Sequence, residues 1–557
     1  MAKFKKPRGT LSKPAQLLIS LIIAIVFGSL YFYFSLPAIN LKNGDFYFFV
    51  ILLCVVFMLA FLILSGANLR TGDVRSFFGL LRRRCLPVVL LICLLLGVAV
   101  IGYIVSTPLF RAGAYRDLLQ VDTGDFAAEV EEVSYDEIPM LDESSAQRLG
   151  DRRLGELSDL VSQFEVAETY TQINYQNRPV RVTYLNYGDF FKWINNRGEG
   201  LPAYITVDMV TQEVSVVRLS SLGLEGIKYS PSELFGRDLM RYLRFHYPTF
   251  MFSEPTFEID EEGRPWWVCP RLTKTIGLFG GVDVEGVVLV DAITGESAYC
   301  SVEEVPTWVD RVYPANLIMQ QYDYHGTYIN GFFNSIFGQQ GVTVTTSGYN
   351  YIAMDDDVYM YTGVTSVSSD ESNVGFLLSN QRTKQTTYYT VGGAIEESAR
   401  DSAEGVVQDL GYQSTFPLLL NIGGEPTYFM SLKDQSQLVK QYAMVNVSQY
   451  QIVATGVTVA ECEANYLELL SAQGITTEPD KPVNTVEGLI TDIRTAVMNG
   501  NSRYFIQLAG SERYYCFQAV DHPLVVLLNT GDRVTITHAL VEESQSEFLD
   551  GYSIVRN

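Results

Sequence analysis

A group of aromatic residues in the middle of the chain is denser than its surroundings and is the first candidate for a binding site. Its members are Trp266, Trp267, Trp308, Tyr313, Tyr322, Tyr324 and Tyr328. Stacked aromatic rings bind sugars and peptides because they offer a large, rigid surface at little entropic cost. The other interpretation is that most of them form the core of an α+β domain, since large apolar side chains are usually buried.

Two charged residues, Asp310 and Arg311, lie beside these aromatic residues in the segment PTWVDRVYP. They either form a local ion pair or act as a polar anchor in a groove, because both side chains make charge-assisted hydrogen bonds. The candidate binding residues are therefore Trp266, Trp267, Trp308, Asp310, Arg311, Tyr313 and Tyr324.

Clustered carboxylates suggest other chemistry. Asp355, Asp356 and Asp357 lie between the strand-like segments YNYIAM and VYMYTG. They fit a calcium site, which needs several carboxylate oxygens, or a solvated hairpin turn, and turn preferences favour the turn. Glu261 and Glu262 have the same two interpretations. Paired carboxylates also hydrolyse glycosides, but the chain has 63 Asp and Glu residues, so no pair is singled out.

Other catalytic signatures are missing from the sequence. It contains no GxSxG, SxxK or P-loop motif, and its four histidines show no HExxH or other paired spacing. We therefore assign no catalytic residue, and we predict neither a metal site nor a cofactor. The seven cysteines include no CxxC pair. Cys269 and Cys300 flank one β-rich stretch and are compatible with a disulfide bond or with two buried thiols.

The elements that must hold any site begin with three long apolar segments. Residues 14–41, 46–69 and 85–110 contain no charged side chain. A bilayer-spanning helix needs about 20 mostly apolar residues, so each segment holds one predicted span. The first is too long for a cleaved signal peptide, and we expect an uncleaved anchor over residues 1–110.

Basic residues predict the orientation of this multi-pass anchor in the cell membrane. They are concentrated before the first span and between the second and third spans, whereas the loop after the first span holds only Lys42 beside Asp45. Lysine and arginine stay on the cytoplasmic side, so the N-terminus is predicted to be cytoplasmic and residues 111–557 extracytoplasmic. The basic residues are Lys3, Lys5, Lys6, Arg8, Lys13, Arg70, Arg75, Arg82, Arg83 and Arg84.

Dividing the net charge of −23 at residue 110 separates a basic segment from an acidic one. Residues 1–110 hold 11 Lys and Arg against two acidic residues, a net charge of +9, which leaves −32 for the rest. Such an acidic exported part repels polyanions, so a nucleic acid is not an expected partner. Whole-chain disorder is also excluded, because 47% of the residues are apolar and 12% aromatic.

An internal repeat organises the exported part. Val207–Glu213 and Val290–Glu296 share the pattern V-D-x-x-T-x-E, each after an apolar strand, and Asp and Thr side chains cap turns. A helical segment, PSELFGRDLMRYLRFHYP, and a hairpin, FEIDEEGRPWWV, precede the second copy. Residues 394–434 repeat the order of helix and hairpin without the motif.

This organisation resembles the PepSY-type unit, a helix packed on a small antiparallel sheet whose last strand carries a vDa.TGe ending. Residues 145–475 also look similar to an uncharacterised family of multi-span, surface-exposed membrane proteins of Gram-positive (Firmicutes-type) bacteria. The segments that carry this similarity include YTQINYQNRPVRVTYL, PTWVDRVYP and SAEGVVQDLGYQSTFPLLLNI. The resemblance implies a cell-envelope location and a binding role, because PepSY-type units restrain or regulate envelope peptidases.

The last segment contains about five short strand candidates with turns at Asn499-Gly500 and Gly531-Asp532. This pattern predicts a small barrel, and the GDRVTI ending resembles OB-fold strands. The predicted fold class is α+β, in six segments. These are the membrane anchor 1–110, an acidic stalk 111–152, two PepSY-like units 153–315, a third α+β unit 316–475, a linker 476–484 and an OB-like barrel 485–557.

Two functions follow from these observations. The first is a membrane-anchored, extracytoplasmic binding or regulatory protein of the cell envelope, without catalysis, whose partner is a peptide, another envelope protein or a wall polymer. The second is an envelope hydrolase of wall glycan or peptide that uses carboxylates near the aromatic residues. The lack of a nucleophile or metal motif favours the first.

Overall fold

The computed structural model describes residues 12–65, 85–130, 138–354, 356–367, 369–475, 483–498, 501–511, 513–519, 522–539 and 548–556. The chain forms two compact units, Met1–Tyr466 and Leu467–Asn557, and each is treated by itself. The first unit carries long apolar helices and four sheets, and the second carries a closed barrel. The chain is therefore a mixed α+β protein, as predicted.

Three long apolar helices match the predicted spans. They are α1 (Lys13–Ser35), α2 (Gly44–Leu64) and α3 (Leu86–Val105). At 23, 21 and 20 residues, each is long and apolar enough to cross a bilayer. The chain is therefore consistent with integral membrane association. The basic residues that predict its orientation lie outside the described residues, except Lys13 and Lys42.

The ends of these helices are joined to the sheets by hydrogen bonds. Arg244 Nε donates to Leu36 O at the end of α1 at 2.9 Å. In the loop before α2, Ile39 N donates to Pro248 O at 2.8 Å. After α3, Ser106 Oγ accepts from Leu278 N at 2.9 Å. The first loop and the ends of α1 and α3 therefore lie on the side of the sheets, as alternating spans require.

The first sheet lies next to a helix that precedes it. Its elements are α6 (Glu143–Gly155), α7 (Ser158–Val161), β2 (Phe164–Val166), β3 (Thr171–Tyr175), β4 (Arg178–Tyr187), α8 (Phe190–Asn196), β5 (Ala203–Asp208) and β6 (Val214–Arg218). The antiparallel order is β2-β4-β5-β6, with β3 also on β4. Ala146 and Leu154 of α6 pack into the core beneath this sheet.

The second sheet repeats this plan. Its elements are α9 (Leu239–His246), β7 (Met251–Phe252), β8 (Thr256–Ile259), β9 (Pro265–Ile276), β10 (Gly280–Asp291) and β11 (Ser297–Ser301). The order is β11-β10-β9-β7, with β8 also on β9. Leu239 and Leu243 of α9 are fully buried, because they fall one turn apart on its apolar face.

Residues 316–475, predicted to hold one α+β unit, contain two sheets. The third follows α10 (Ala315–Thr327) and comprises β12 (Thr343–Thr345), β13 (Asn350–Met354), β14 (Asp357–Ser366), β15 (Ser369–Asn380), β16 (Thr386–Tyr389) and β17 (Gly393–Ala394). The fourth follows α11 (Glu396–Val406) and comprises β18 (Gln413–Ser414), β19 (Leu418–Ile422), β20 (Glu425–Lys433), β21 (Val439–Asn446) and β22 (Val453–Gly456), before α12 (Val459–Ala472).

The predicted acidic stalk also differs from the structure. Residues 108–130 form α4 (Pro108–Arg116), β1 (Asp122–Gly124) and α5 (Phe126–Glu129). Strand β1 pairs in parallel with β16 of the third sheet. Because α6 packs under the first sheet, this region is built into the folded unit at both ends, and its scattered apolar residues, such as Leu119 and Phe126, are buried.

The second unit contains a closed barrel. Its strands are β23 (Val483–Met498), β24 (Asn501–Leu508), β25 (Tyr514–Gln518), β26 (Arg533–Ala539) and β27 (Phe548–Arg556). The order is β23-β24-β25-β27-β26, and the long β23 pairs with both β24 and β26 to close it. β25 and β27 are parallel. Of the predicted linker, only Val483 and Asn484 are described, and both belong to β23.

The repeated motif forms the same turn in the first two sheets. Asp208 Oδ1 accepts from Thr211 N at 2.8 Å, and Asp291 Oδ1 accepts from Thr294 N at 3.0 Å. The other carboxylate oxygen of each Asp binds an arginine: Arg178 Nη2 at 2.7 Å from Asp208 Oδ2, and Arg264 Nε at 2.7 Å from Asp291 Oδ2. Each turn is therefore held by an arginine from the neighbouring strand end.

Two further turns occupy the same place in the other sheets with different residues. Asn380 Oδ1 accepts from Thr383 N at 2.9 Å, while its Nδ2 donates to Asp357 Oδ2 at 2.8 Å. Asn446 Nδ2 donates to Glu425 Oε2 at 3.4 Å. In all four sheets the turn residue faces a residue on the neighbouring strand. The side chain that binds the turn residue comes from the position two residues before that facing residue. The four facing pairs are Val180–Asp208, Trp266–Asp291, Tyr359–Asn380 and Thr427–Asn446.

Cys269 and Cys300 are both free thiols. Cys269 faces Val288 across β9 and β10, whereas Cys300 faces Val287 across β10 and β11. Successive residues of β10 point to opposite faces, so the two thiols belong to different cores. A disulfide between them is therefore excluded by the alternation of the strand, and the free-thiol interpretation holds.

Candidate functional site

A cavity of about 900 Å³ lies within the unit Met1–Tyr466, among the four sheets. Each sheet contributes to its lining, for example Arg181 of β4, Trp267 of β9, Tyr351 of β13 and Phe429 of β20. Pockets for small molecules are usually apolar with a few polar groups, and their volumes run from about 300 to 1,000 Å³. This cavity therefore has the size and composition of a ligand site.

Arg181 is the most deeply buried charge of the cavity wall, with 6% of its surface exposed. It lies on β4 between Val180 and Val182, both of them buried. Its Nη1 donates to Tyr170 O over 3.4 Å, and its Nε has no hydrogen-bond partner among the described residues. Burial lowers the pKa of the Arg181 guanidinium, and among the charges around it Glu143 opposes this shift while Arg311 adds to it.

Arg311 lies on the same cavity wall, in the segment between β11 and α10. Its guanidinium lies 3.5 Å from the ring centroid of Tyr351, a cation–π contact. Its Nη1 donates to Gln381 Oε1 at 3.1 Å. Because Arg311 donates to the amide of Gln381, the atom that faces Arg311 is the amide oxygen. The Nε2 group of Gln381 therefore points elsewhere, and this Nε2 group has no partner among the described residues.

Four buried side-chain atoms of the cavity wall have no hydrogen-bond partner among the described residues, and each of them can donate a hydrogen bond. They are Arg181 Nε, Arg311 Nε, Gln381 Nε2 and the hydroxyl of Tyr170. The Tyr170 hydroxyl lies against Gly150 of α6 and is not part of the site. A buried donor without a partner costs roughly 1–3 kcal/mol, so an acceptor that reached these three donors would stabilise the protein.

A pair of buried carboxyl groups lies behind the cavity wall. Glu258 Oε2 accepts from Asp310 N at 2.9 Å, and Asp310 Oδ2 accepts from Asn174 N at 2.7 Å. Burial raises the pKa of Glu258 to about 7, and burial followed by the Glu258 charge raises that of Asp310. Both residues are at most 1% exposed and neither lines the cavity, so they are not reachable by a substrate there.

The structure brings together some of the predicted site residues and separates others. Trp267, Arg311 and Tyr313 line the cavity. Asp310 is adjacent but buried, and it makes no ion pair with Arg311 among the described residues. Trp266, Trp308 and Tyr324 do not line the cavity.

The remaining aromatic candidates have structural partners. The rings of Trp266 and Trp308 pack together at 5.8 Å, and Trp266 Nε1 donates to Asp260 Oδ2 at 2.9 Å. Tyr324 packs at 4.7 Å against Tyr115 of α4. The predicted aromatic group is thus divided between the cavity wall and two separate packing contacts.

The predicted calcium candidates are only partly described, since Asp355 lies outside the described residues. Asp356 has a φ of +64° and occupies a hairpin turn. The carboxylate of Asp357 pairs with Arg382 Nε at 2.7 Å, so it is already neutralised. Within the described residues, no group of three or more His, Cys, Asp and Glu side chains could hold a metal.

Sequence reasoning missed Arg181, Gln381 and the tyrosines Tyr349 and Tyr351. The signal for Arg181 is present in VRVTYLNY, where a cation interrupts a strand whose neighbours are apolar on both faces. An arginine is rare in a central strand that is buried on both faces, unless the side chain has a structural partner or a functional role. Gln381 follows the third turn residue, Asn380, and carried no signal because that turn was not recognised.

No protein-family model matches the chain, and no curated protein matches it either. The site must therefore be interpreted from its own geometry.

Proposed function

We propose that this protein is a membrane-anchored, extracytoplasmic binding or regulatory protein of the cell envelope that acts without catalysis. The observation that carries the proposal is the cavity of about 900 Å³ among the four sheets, with unpartnered donors in its wall. Aromatic walls and a few fixed polar groups bind ligands and need no reactive residue. The ligand is a peptide, a part of another envelope protein, or a wall component.

The recurring units support a PepSY-like assignment for residues 143–456. Four helices, α6, α9, α10 and α11, each precede a sheet that has a polar turn in the same place, and the strands that follow each helix pair antiparallel. Repeated units that share a core are the usual origin of such regularity. With this assignment, the chain belongs among the surface-exposed proteins of Gram-positive bacteria that it resembles, and its units bind rather than react.

The strand order of the barrel supports an OB-like assignment for the second unit. A five-stranded closed barrel in which the first strand pairs with the second and fourth, and the third with the fifth, is the order seen here. OB barrels bind oligonucleotides and oligosaccharides through one face. Since the exported part is acidic, we assign the barrel a structural or protein-binding role instead of a nucleic-acid one.

The orientation of the protein follows from its charge. We infer that the N-terminus is cytoplasmic and the sheets are outside, since basic residues flank α1 on one side and separate α2 from α3. Protease added to intact cells is then expected to degrade the sheets. Complete protection of the sheets in intact cells, with degradation after lysis, would contradict this orientation.

The alternative function is an envelope hydrolase, and buried carboxylates weigh against it. Glu258 and Asp310 lie beside the predicted site residues, and both are closed off from the cavity. The accessible carboxylates are those of Asp142, Glu143 and Glu254 in the cavity lining and those of Glu261 and Glu262 in the neighbouring hairpin. Turnover of wall fragments or peptides that Asp310→Ala or Glu261→Ala abolishes without unfolding would favour the hydrolase.

Filling the cavity tests the binding function. Ser253 lines the cavity and is half-buried, and its side chain makes no hydrogen bond to any residue that the structure describes, so Ser253→Trp places a large ring in the cavity at little cost to the fold. The matched control is Ser220→Trp, at an exposed position outside the cavity. Full-length protein in detergent is incubated with fractionated envelope peptides, wall fragments and lipids, and retained compounds are identified by mass spectrometry.

We expect a compound that the native chain and Ser220→Trp retain and that Ser253→Trp loses. Equal retention by all three proteins would place binding elsewhere. No retained compound from any fraction would contradict a binding role for the cavity.

A further inference from the structure

We propose that the Arg181–Arg311 end of the cavity binds an anionic group, a carboxylate or a phosphate, which is attached to an apolar or aromatic body. The inference rests on the proposed binding function and names the class of ligand. It follows from three properties of the site, which are its unpartnered donors, the absence of an ion pair at either arginine within the described residues, and its aromatic side chains.

The donors select for an acceptor. Arg181 Nε, Arg311 Nε and Gln381 Nε2 come from three segments that are distant in sequence and share one cavity wall. Apart from the Tyr170 hydroxyl, which lies against Gly150, no cavity-lining side chain has a buried acceptor atom without a partner among the described residues. A neutral ligand with both donors and acceptors would satisfy only part of this set. An oxyanion accepts several hydrogen bonds at once and matches the planar guanidinium.

Asp142 and Glu143 line the cavity together with the two arginines, and their charges act to raise the pKa of Arg181. Within the described residues, neither Arg181 nor Arg311 forms an ion pair. Asp142, the second acidic neighbour of Arg181, is paired with Lys433 Nζ at 2.6 Å. Glu143 Oε1 accepts from Tyr170 N at 3.1 Å. In the described part of the chain, neither carboxylate forms an ion pair with Arg181 or Arg311, so an anionic ligand has no ion pair to displace at the two guanidinium groups.

The acids behind Arg311 are also committed to other donors. Glu258 accepts from Thr256 Oγ1 at 2.9 Å and from Asp310 N, and Asp310 accepts from Asn174 N. Both carboxyl groups lie outside the cavity lining. A ligand in the cavity therefore meets the arginine side of this cluster and not the acidic side.

Many other wall residues are apolar or aromatic, and three acidic residues, Asp142, Glu143 and Glu254, also line the cavity. Tyr351 stacks on Arg311, and its ring lies 5.4 Å from that of Tyr349. Further wall residues are Phe252, Phe257, Trp267, Phe416, Phe429 and Met430. Stacked rings hold aromatic or aliphatic groups and keep the guanidinium planes in place. The ligand is thus an amphiphilic anion, and inorganic phosphate alone would leave most of the wall uncovered.

Four probes test this inference on the full-length chain in detergent micelles. Phenyl phosphate and phenylacetate carry the two anionic groups, phenylacetamide is the neutral isostere, and inorganic phosphate lacks the apolar body. Binding is measured as the shift of the thermal midpoint, followed by tryptophan fluorescence, and by calorimetric titration. Native protein is expected to bind at least one of the two aromatic anions at least about tenfold more tightly than either other probe, as one charge-assisted contact implies.

Arginine variants assign the binding to the site. Arg181→Met and Arg311→Met remove the charge and keep the volume, and each is expected to lose at least about tenfold in affinity. Arg153→Met is the matched control, since Arg153 is exposed and pairs with Glu156 on α6. Phenyl phosphate and phenylacetate then distinguish a phosphate ligand from a carboxylate ligand. Equal binding of phenylacetamide and the anions, or unchanged affinity in both arginine variants, would overturn the inference.

A second variant keeps the test decisive if an arginine variant does not fold. Gln381→Glu retains an acceptor for Arg311 and places a carboxylate where the ligand group is expected. It should raise the thermal midpoint without ligand and abolish the shift caused by the anions. If anions bind equally in this variant, the inference is wrong. Loss of an envelope compound in Ser253→Trp would still support the binding function by itself.

Discussion

The four sheet turns and the cavity use buried polar groups in opposite ways. At the turns, Asp291 is 3% exposed and is bound by two backbone amides and by Arg264. In the cavity, Arg181 is 6% exposed and has one long hydrogen bond. A satisfied buried charge stabilises the fold, whereas an unsatisfied one costs free energy. The comparison separates buried polar residues that stabilise the fold from buried polar residues that we propose to bind a ligand.

The largest expected effect comes from breaking a buried turn. Asp291→Ala removes the acceptor of Ile293 N and Thr294 N and leaves Arg264 without its partner. We expect a loss of about 3 kcal/mol in the free energy of unfolding, the usual result of breaking a buried charge pair. The measurement is denaturant unfolding in detergent by tryptophan fluorescence, which reports on the unit Met1–Tyr466 because all four tryptophans lie in it.

The third and fourth turns supply the control for that experiment. They carry Asn380 and Asn446 in the place of Asp291. Asp291→Asn therefore keeps an acceptor for the backbone amides and should lose about half as much stability. If Ala and Asn at this position were equivalent, backbone capping would not be what the turn residue contributes.

Removing a cavity arginine should have the opposite sign. Arg181→Met takes away a buried charge that has no ion pair within the described residues, and we expect a gain of about 1–2 kcal/mol in the absence of ligand. The same unfolding experiment checks it. A clear loss of stability would mean that Arg181 belongs with the turn residues, as a structural charge.

The buried acids give a prediction about pH. Glu258 has an ordinary pKa near 4.5 and a folded-state pKa of about 7, and the pKa of Asp310 is raised in the same direction. The folded protein therefore binds protons at these two carboxyl groups more tightly than the unfolded chain does. The stabilisation that comes from this proton binding is complete below about pH 4.5 and is lost as the pH rises through about 7. The thermal midpoint should fall over that window.

A nearly isosteric variant isolates this effect. Asp310→Asn keeps an oxygen that accepts from Asn174 N. Its NH2 group takes the place of Asp310 Oδ1, which has no partner among the described residues. It should raise the midpoint at pH 8 by a few degrees and flatten the pH dependence. Asp434→Asn, at an exposed turn, is the control. An unchanged slope in Asp310→Asn would exclude this carboxyl pair as the titrating element.

The smallest effect is expected at the first turn. The side chain of Arg178 is 51% exposed, so its pair with Asp208 is screened by water. Arg178→Ala should cost less than about 1 kcal/mol, in contrast to the loss at Asp291. A loss as large as that of Asp291→Ala would show that exposure does not distinguish the two turns.

Several features were readable from the sequence because their signals are local. The lengths of three uncharged segments predicted α1, α2 and α3. The pattern V-D-x-x-T-x-E predicted two turns, since a side chain that caps its own backbone needs only neighbouring residues. The sequence pattern did not predict the other two turns. Asn380 and Asn446 stand there in place of Asp, and their acidic partners, Asp357 and Glu425, lie at distant strand ends.

The site depended on the tertiary structure. Arg181 and Arg311 are 130 positions apart, and only the packing of the first and third sheets brings them to one cavity wall. Of the candidates chosen for aromatic density, Trp267 and Tyr313 lie in that wall, while the pair Trp266–Trp308 packs apart from it. By itself, the sequence determined the three apolar spans, the α+β class and the acidity of residues 111–557, which depend on composition and local pattern. Which polar groups are buried, and which of them lack partners, was decided by the packing of the sheets, because burial and hydrogen bonding are properties of the assembled fold.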